Sequence, residues 1–446
     1  MTKISDISAT VLTRIGRWLA RRLPARGAVA VALLLTGLCA GLGAWALKNL
    51  IRLLSLALTE HLAEDSFNWI LFVAPAAGIV LTGLLTRHIF RRRLAHGTER
   101  MMADLRSRSY GLALPLVYQP LLACSLTIGS GGSAGSEGPI AYAGGAMGSN
   151  IGGMLGLRGP ALRMMVICGA AAGIAAIFKA PLGGFFFAVE IMGASLTVMQ
   201  MFGLMSVCIV AGGTAFALSG FTLDVVWADA TQGFAWGHWW ILIPLGVAVG
   251  LYSLWYRGSA GATRRMLGRV RHDWVRNLCA GAMLGLCVMV FPALFGEGYG
   301  CVEHVLAGDL DSVRSFSQLH RLISEPWVLP LVLGGILLVK GMVVQLTDSG
   351  GGVGGTFAPT LFAGCMAGAL VSSVLVPAGW PLPAAQTAYL CMAGAMAGIT
   401  GAPFMAIFIT MEITGSPLML VPLAVVALSS FATVKLARRL WRRHGA

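Results

Sequence analysis

Charge is what this sequence lacks most. Only 11% of its 446 residues are charged and 57% are hydrophobic, whereas a typical soluble domain has roughly 25% charged and 45–50% apolar residues. So little charge cannot cover the surface of a soluble protein of this length. With a mean hydropathy of +0.79 and 59 glycines, the composition predicts an all-α polytopic membrane protein with closely packed helices. It excludes a soluble enzyme and a disordered chain.

Acidic residues are the scarcer charged type, with 18 Asp and Glu against 32 Lys and Arg and a net charge of +14. The basic residues lie in loops and at the chain ends, which argues for membrane lipid and against nucleic acid as the partner. Residues 59–68 and 221–238 contain no Lys or Arg, whereas 87–108 and 257–276 are rich in arginine. The positive-inside rule then predicts a multi-pass protein of the inner (plasma) membrane with both termini cytoplasmic.

Several signatures of chemistry are also missing. The nine cysteines show no C-x-x-C spacing and the eight histidines do not cluster, so the sequence predicts no disulfide framework and no metal site. No G-K-S/T follows the glycine-rich strings, which argues against nucleotide binding. We therefore expect no cofactor and no catalytic residue.

An internal repeat divides the chain. Residues of the first half recur about 220 positions later with the same spacing: Gly169, Ala170, Ala172, Gly173 and Ile174 return as Gly394, Ala395, Ala397, Gly398 and Ile399. The loop charges give the two halves opposite orientations, and inverted-topology repeats of tilted and broken helices are typical of transporters. The predicted organisation is a basic cytoplasmic segment 1–26, a first membrane repeat 27–220, an extracytoplasmic linker 221–238, a second inverted repeat 239–436, and a basic cytoplasmic tail 437–446.

Two glycine-rich strings lie where the repeat predicts a substrate site, GSGGSAGSEGP at 129–139 and SGGGVGGTFAP at 349–359. Each opens an apolar stretch. A helix that begins inside the membrane presents free N–H groups and the positive end of its dipole to the cavity it faces. Two such helix starts converging at the midplane would bind an anion without a fixed positive charge.

Glu137 lies in the first string. An ionisable residue at membrane depth is costly and is functional by default. Its carboxylate would occupy the anion site when charged and leave it when protonated, so one residue would both gate the path and carry a proton. The alternative is a glutamate that is merely paired at a helix start.

Three strings, which follow one another along the chain as GSEGP, GAAAGIAAIFKAPLGG and GGTFAP, together resemble the CLC family of chloride channels and chloride/proton exchangers, of the prokaryotic type without cytoplasmic regulatory domains. The resemblance covers residues 27–436. It implies a homodimer with one pore in each subunit, in which Glu137 matches the external gating glutamate. It also implies anion binding by the backbone of Gly138, Thr356, Phe357 and Ala358.

The chain departs from the family pattern at four places. Ser136 stands where the family has a basic residue before the glutamate. The string of the central serine is replaced by AHGTERMM, in which Thr98 would supply a hydroxyl. No tyrosine follows Tyr389, so the family's central tyrosine has no counterpart. Ile191 occupies the position where exchangers commonly carry a second, internal proton glutamate.

These features predict chloride-class anion transport through a pore gated by Glu137, either channel-like or loosely coupled to protons. A coupled chloride/proton antiporter is the main alternative, and a fluoride exporter is a minor one. Because GGSAG formally matches G-x-S-x-G, an intramembrane serine protease using Ser133 or Ser136 is a further minor alternative. A lipid-binding scaffold would not need Glu137.

Overall fold

A computed structural model of the chain describes residues 24–59, 69–91, 94, 97–223, 236–315, 327–380 and 382–444. Most of the predicted segment 1–26 and of the linker 221–238 lies outside these residues, as does the end of the tail. The domain boundaries drawn from the sequence therefore stay predictions.

All regular secondary structure in the described part of the chain is helical, apart from one isolated backbone bridge. The helices before the midpoint are α1 (Ala25–Thr59), α2 (Ile70–Leu84), α3 (Gly97–Arg106), α4 (Gln119–Gly129), α5 (Glu137–Met154), α6 (Gly159–Phe178), α7 (Pro181–Phe186) and α8 (Val198–Leu218). Those after it are α9 (Leu242–Gly268), α10 (Asp273–Val290), α11 (Tyr299–Leu306), α12 (Leu310–Ser315), α13 (Val328–Ser349), α14 (Phe357–Leu375), α15 (Ala384–Thr400), α16 (Pro403–Thr414) and α17 (Leu420–His444).

Local sequence sets several helix boundaries. α7 and α16 each begin on a proline, Pro181 and Pro403, whose fixed φ suits the first helical position and whose missing N–H costs nothing there. Short π-helical turns extend α2 over Leu85–Ile89 and α7 over Phe187–Ile191.

Nine helices of the described residues are long and apolar enough to span a membrane: α1, α2, α6, α8, α9, α10, α13, α14 and α17. They differ in how much surface they expose. In their most apolar windows 78% of the residues of α6 and 72% of those of α14 are buried, against 28% in α10. α6 and α14 are therefore interior helices, and α10 exposes a broad apolar face of the kind that lipid covers.

The fold comprises two compact units that alternate along the chain. The first contains the described residues within Met1–Leu47, Gly97–Leu122 and Gly138–Thr222. The second contains those within Lys48–His96, Ala123–Glu137 and Leu223–Ala446.

The two units use equivalent glycines to bring helices together. In the first, a Cβ on Gly144 or Gly148 of α5 would overlap backbone carbonyls of α6. In the second, a Cβ on Gly364 or Gly368 of α14 would overlap the backbone of α15. Only glycine permits backbones to approach this closely, which is the small-residue packing of membrane helices. The repeat read from the sequence is thus a repeat of helix contacts.

Candidate anion site

The two glycine-rich strings pair with each other through their backbones. Gly135 donates its N–H to the carbonyl of Gly355 at 2.9 Å, and Gly355 donates to the carbonyl of Gly135 at 2.6 Å. This antiparallel bridge is formed by the residues two positions before Glu137 and Phe357. The loops that lead into α5 and α14 are therefore fixed against one another.

Both loops also have the same internal fold. Gly131 and Gly351 have φ of +99° and +103°, values that side-chain-bearing residues rarely adopt. The next glycine in each loop donates to a threonine carbonyl at the end of the preceding helix, at 2.8 Å for Thr127 and 2.9 Å for Thr347. All these positions are 220 residues apart, so the structural repeat extends further upstream than the sequence repeat indicated.

α14 begins without a side-chain cap from the residue that directly precedes it. Its N-cap residue, Thr356, makes no side-chain capping bond, and the carboxylate of Glu137 takes that place. Oε1 of Glu137 accepts hydrogen bonds from the N–H of Phe357 and from the N–H of Ala358, the latter at 3.1 Å. An acidic group at this position also interacts favourably with the helix dipole. The Glu137 carboxylate thus lies at a helix start, where free backbone N–H groups favour an anionic group.

The carboxylate is enclosed. Glu137 is 1% exposed, and its second oxygen, Oε2, has no hydrogen-bond partner among the described residues. Burial penalises the charged carboxylate, while the two N–H donors stabilise it. A Cβ on Gly135 would overlap both carboxylate oxygens, so glycine is required there to accommodate Glu137.

The structure also describes the other residues predicted for the site. Gly138 is the buried second residue of α5, and the side chain of Thr356 is exposed. Thr98 is the second residue of α3, and Gly97 before it packs on Gly138, where a Cβ on Gly97 would lie 2.7 Å from the Gly138 carbonyl oxygen. The structure therefore brings Glu137 together with Phe357 and Ala358, and it brings the start of α3 to Gly138.

The sequence reading missed Lys340, which lies on α13. It is fully buried, donates from Nζ to Oγ of Ser133 at 3.0 Å, and lies 4.1 Å from the ring centroid of Phe362. No acidic side chain among the described residues pairs with it. The signal that could have found it is a lysine inside an apolar run, since a cation at membrane depth needs a specific partner.

Two more residues were missed, Glu297 and Tyr256. Oε1 of Glu297 accepts hydrogen bonds from the backbone N–H and the hydroxyl of Ser136, at 3.0 and 2.7 Å. Tyr256 on α9 is buried, the charge of Glu137 acts on it, and its hydroxyl has no partner among the described residues. Neither residue belongs to a motif.

The serines of the GGSAG match have structural partners. Ser133 is fully buried beside Lys340, and Ser136 is 2% exposed and bonded to Glu297. A peptide substrate cannot reach either hydroxyl in this arrangement. The local fold is a loop leading into a helix and has no strand before it, which the hydrolase motif requires.

A basic cavity of about 870 Å³ reaches the loop before α14. Gly351 and Val353 of that loop line it, together with Arg87, Arg264 and Arg276. Asp273 pairs with Arg87 at 3.1 Å and with Arg276 at 2.9 Å, whereas Arg264 has no acidic partner among the described residues. The cavity therefore retains positive charge, which raises the local concentration of anions.

Comparison with known proteins gives the family of the chain. The family described as voltage gated chloride channel matches residues 77–435, which is most of the chain. The chain belongs to the voltage-gated chloride channel (CLC) family. Its members are channels and transporters of the membrane rather than enzymes, so the serine protease alternative is excluded. The chain is accordingly a multi-span membrane protein.

Individual relatives agree with this assignment. The chain is 28% identical over 377 residues to a putative ClcB-like chloride channel protein of Ralstonia nicotianae, covering 82% of each. It is 25% identical over 431 residues to the voltage-gated ClC-type chloride channel ClcB of Salmonella typhi, covering 92% of this chain and 97% of that one.

Two solved structures share the fold. One is a slow cyanobacterial Cl⁻/H⁺ antiporter, with a TM-score of 0.76 and 21% identity over 93% of this chain and 95% of that one. The other is a CLC-type fluoride/proton antiporter, with a TM-score of 0.74 and 20% identity over 92% of this chain and 96% of that one. At these identities the likeness establishes the fold alone.

Proposed function

We propose that the chain carries chloride-class anions across the inner membrane through a pore that Glu137 closes. One observation carries the proposal: the Glu137 carboxylate accepts the backbone N–H groups of Phe357 and Ala358. A chloride ion would use the same donors. The carboxylate and the anion therefore exclude each other from the start of α14.

Protonation is the step that opens this site. A neutral carboxyl group is a weaker acceptor than a carboxylate, because hydrogen bonds to charged acceptors are roughly twice as strong. It also lacks the charge that the helix start attracts. A protonated Glu137 therefore yields the N–H groups of Phe357 and Ala358 to an anion. No fixed cation among the described residues contacts these donors, which keeps the bound anion exchangeable.

The finer division is between a channel and a coupled exchanger. We favour channel-like or loosely coupled conduction, because Ile191, the last residue of the π-helical turn after α7, cannot relay a proton to the inner side. The alternative of a coupled antiporter is supported by Glu137 itself, since a residue that must be protonated for each anion to pass can carry that proton across. A preference for fluoride is the third alternative.

The test is a simultaneous record of chloride efflux and external pH from liposomes that hold the purified protein under an outward chloride gradient. We expect rapid chloride efflux with little proton movement, and a rate that rises as the pH falls. Glu137→Gln should conduct chloride at a rate that depends on pH much less than the wild-type rate does. A Glu137→Gln variant that keeps the wild-type pH dependence would contradict the gating role.

The same record decides the alternatives. Proton uptake against its gradient, driven by chloride and lost in Glu137→Gln, would establish exchange in place of a channel. Replacing chloride by fluoride in the vesicles tests the third alternative. Both termini on the cytoplasmic side and a homodimeric assembly also stay proposals. Light scattering in detergent tests the assembly, and protease access to the ends in oriented vesicles tests the topology.

A further inference from the structure

Glu297 holds the last backbone donor before α5. Its Oε1 accepts from the N–H of Ser136 at 3.0 Å and from the Ser136 hydroxyl at 2.7 Å. Ser136 directly precedes Glu137, so the donor that Glu297 binds is adjacent in the chain to the residue whose carboxylate binds Phe357 and Ala358. The N–H of Ser136 is therefore bound to a carboxylate and is not free to bind an anion.

The turn that carries Glu297 is built for this contact. Gly296 and Gly298 flank it with φ of +61° and +82°, and a Cβ on Gly298 would lie 2.6 Å from Cδ2 of Phe362. Glycine on both sides allows the chain to reverse closely enough for the carboxylate to reach Ser136. Glu297 is only partly buried, so water and protons reach it more readily than they reach Glu137.

We propose that Glu297 is a second carboxylate gate, which lies on the outer side of Glu137 and competes with external anions for the N–H of Ser136. The proposal rests on the proposed function, because it assumes that anions pass the starts of α5 and α14. The outer side is assigned from the acidic residues that follow in 297–310 and from the absence of Lys and Arg there. A negative charge at this position also opposes the entry of an anion.

Other charged and titratable groups face this turn. The thiol of Cys124 on α4 lies within the fields of both Glu297 and Glu137. Tyr299 follows in the chain, and Nζ of Lys48 on α1 lies 5.6 Å from its ring centroid. Glu303 lies one turn further along α11 and is exposed. Lys48 is the cation among these groups, and it is retained in every variant below.

Transport assays on four proteins test the proposal: wild type, Glu297→Gln, Glu137→Gln and the double variant. Each is reconstituted in liposomes, and uptake of labelled chloride is measured while only the external pH is varied. Glutamine keeps an acceptor for Ser136 but removes the charge. We expect Glu297→Gln to raise uptake at alkaline external pH by on the order of tenfold, the effect of losing one charge-assisted hydrogen bond.

The pH profile separates the two gates. Glu137→Gln should lose most of the pH dependence but keep a residual dependence on external pH, and the double variant should lose that too. Glu303→Gln removes the same charge from the same helix region without contacting Ser136, and it should behave as wild type. Ser136→Ala, which removes the hydroxyl bond and keeps the N–H, should raise uptake less than Glu297→Gln does.

Three results would overturn the proposal. The first is chloride uptake by Glu297→Gln that equals uptake by Glu303→Gln. The second is a pH profile of Glu137→Gln that is identical to that of the double variant. The third is chloride uptake by Ser136→Ala that lies below the wild-type value. A Glu137→Gln variant with unchanged pH dependence would instead contradict the proposed function, so the two failures are distinguishable.

Discussion

The starts of α5 and α14 have the same backbone and different chemistry. Each follows a loop with a glycine at positive φ, a hydrogen bond back to a threonine carbonyl, and one strand of the Gly135–Gly355 bridge. At the first helical position, however, one copy has Glu137 and the other has Phe357. The carboxylate of the first copy then accepts the N–H of the second. The two copies therefore share a backbone structure and differ in the side chain at the first helical position.

The residues that directly precede the two helices also differ in their burial and hydrogen bonding. Ser136 is buried and bonded to Glu297, whereas Thr356 is exposed and caps nothing. Negative groups thus lie at the α5 copy, and the backbone N–H donors that Glu137 binds lie at the α14 copy. Under the proposed function, one repeat supplies the carboxylate that competes with the anion and the other supplies the N–H donors that bind the anion.

Removing a backbone N–H donor from the start of α14 is the strongest test of this difference between the two helix starts. Phe357→Pro deletes one backbone N–H at a first helical position, where proline is tolerated. We expect chloride binding, measured by calorimetry, to weaken by about tenfold or more, since a hydrogen bond to a charged group contributes about 1.5–3 kcal/mol. Phe357→Ala loses the ring but keeps the N–H, and it should bind chloride nearly as wild type. Unchanged affinity in Phe357→Pro would refute the assignment.

A methyl group added at Gly135, in the loop before α5, can displace the Glu137 carboxylate. In Gly135→Ala the new Cβ overlaps both oxygens of Glu137, so the side chain must leave the N–H groups of α14. We expect chloride efflux at alkaline pH to rise several-fold, by about the factor that one charge-assisted hydrogen bond supplies, and its pH dependence to flatten. Gly153→Ala on α5 adds the same methyl group in open space and is the control. Efflux from Gly135→Ala with wild-type pH dependence is the contrary result.

The loop glycines test how alike the two copies are. Gly131→Ala and Gly351→Ala each place a side chain at positive φ, at a cost of about 1–3 kcal/mol. A Cβ on Gly131 would overlap the Phe295 ring and lie 2.9 Å from Cγ of Pro75, whereas a Cβ on Gly351 would lie 2.8 Å from the side-chain amide of Asn277. An amide at the end of a side chain moves more easily than a packed ring. The thermal unfolding temperature in detergent should therefore be lower than wild type in both variants, and lowest in Gly131→Ala. A lower unfolding temperature for Gly351→Ala than for Gly131→Ala would contradict this expectation.

The basic cavity should give the smallest effect. Arg264→Gln removes a lining cation that has no acidic partner among the described residues, while Arg265 is its exposed neighbour outside the lining. We expect chloride flux to fall by about twofold at low ionic strength and to recover at high salt, because steering by charge is screened. Arg265→Gln should change little. Equal loss in both variants would indicate a general surface-charge effect.

Sequence reasoning could predict the membrane fold and the repeat, and could single out Glu137 and Phe357, which the structure brings together, because each leaves a local trace. Long apolar runs, loop charges and the recurring glycines are read along the chain. Glu137 stands out because an acid within an apolar region is rare. The equivalence of Thr127 and Thr347 was missed because it is defined by backbone hydrogen bonds. It is not part of a run of identical side chains.

Lys340 and Glu297 were missed for a different reason. Their partners, Ser133 and Ser136, lie 207 and 161 residues away in sequence, and neither pair has a motif. The bridge between Gly135 and Gly355 likewise depends on how the two strings meet in space. The role of Thr98 stays a prediction, although the structure places the start of α3 against Gly138.

The most direct test of the account is chloride binding by calorimetry at about pH 5 and about pH 8, values on either side of neutrality, for wild type and Glu137→Gln. If the carboxylate and the anion compete for the N–H groups of Phe357 and Ala358, wild-type affinity should be weaker at the higher pH. Glu137→Gln should bind equally tightly at both. If Glu137→Gln shows the wild-type affinity at each pH, the carboxylate does not occupy the anion site and the central claim is wrong.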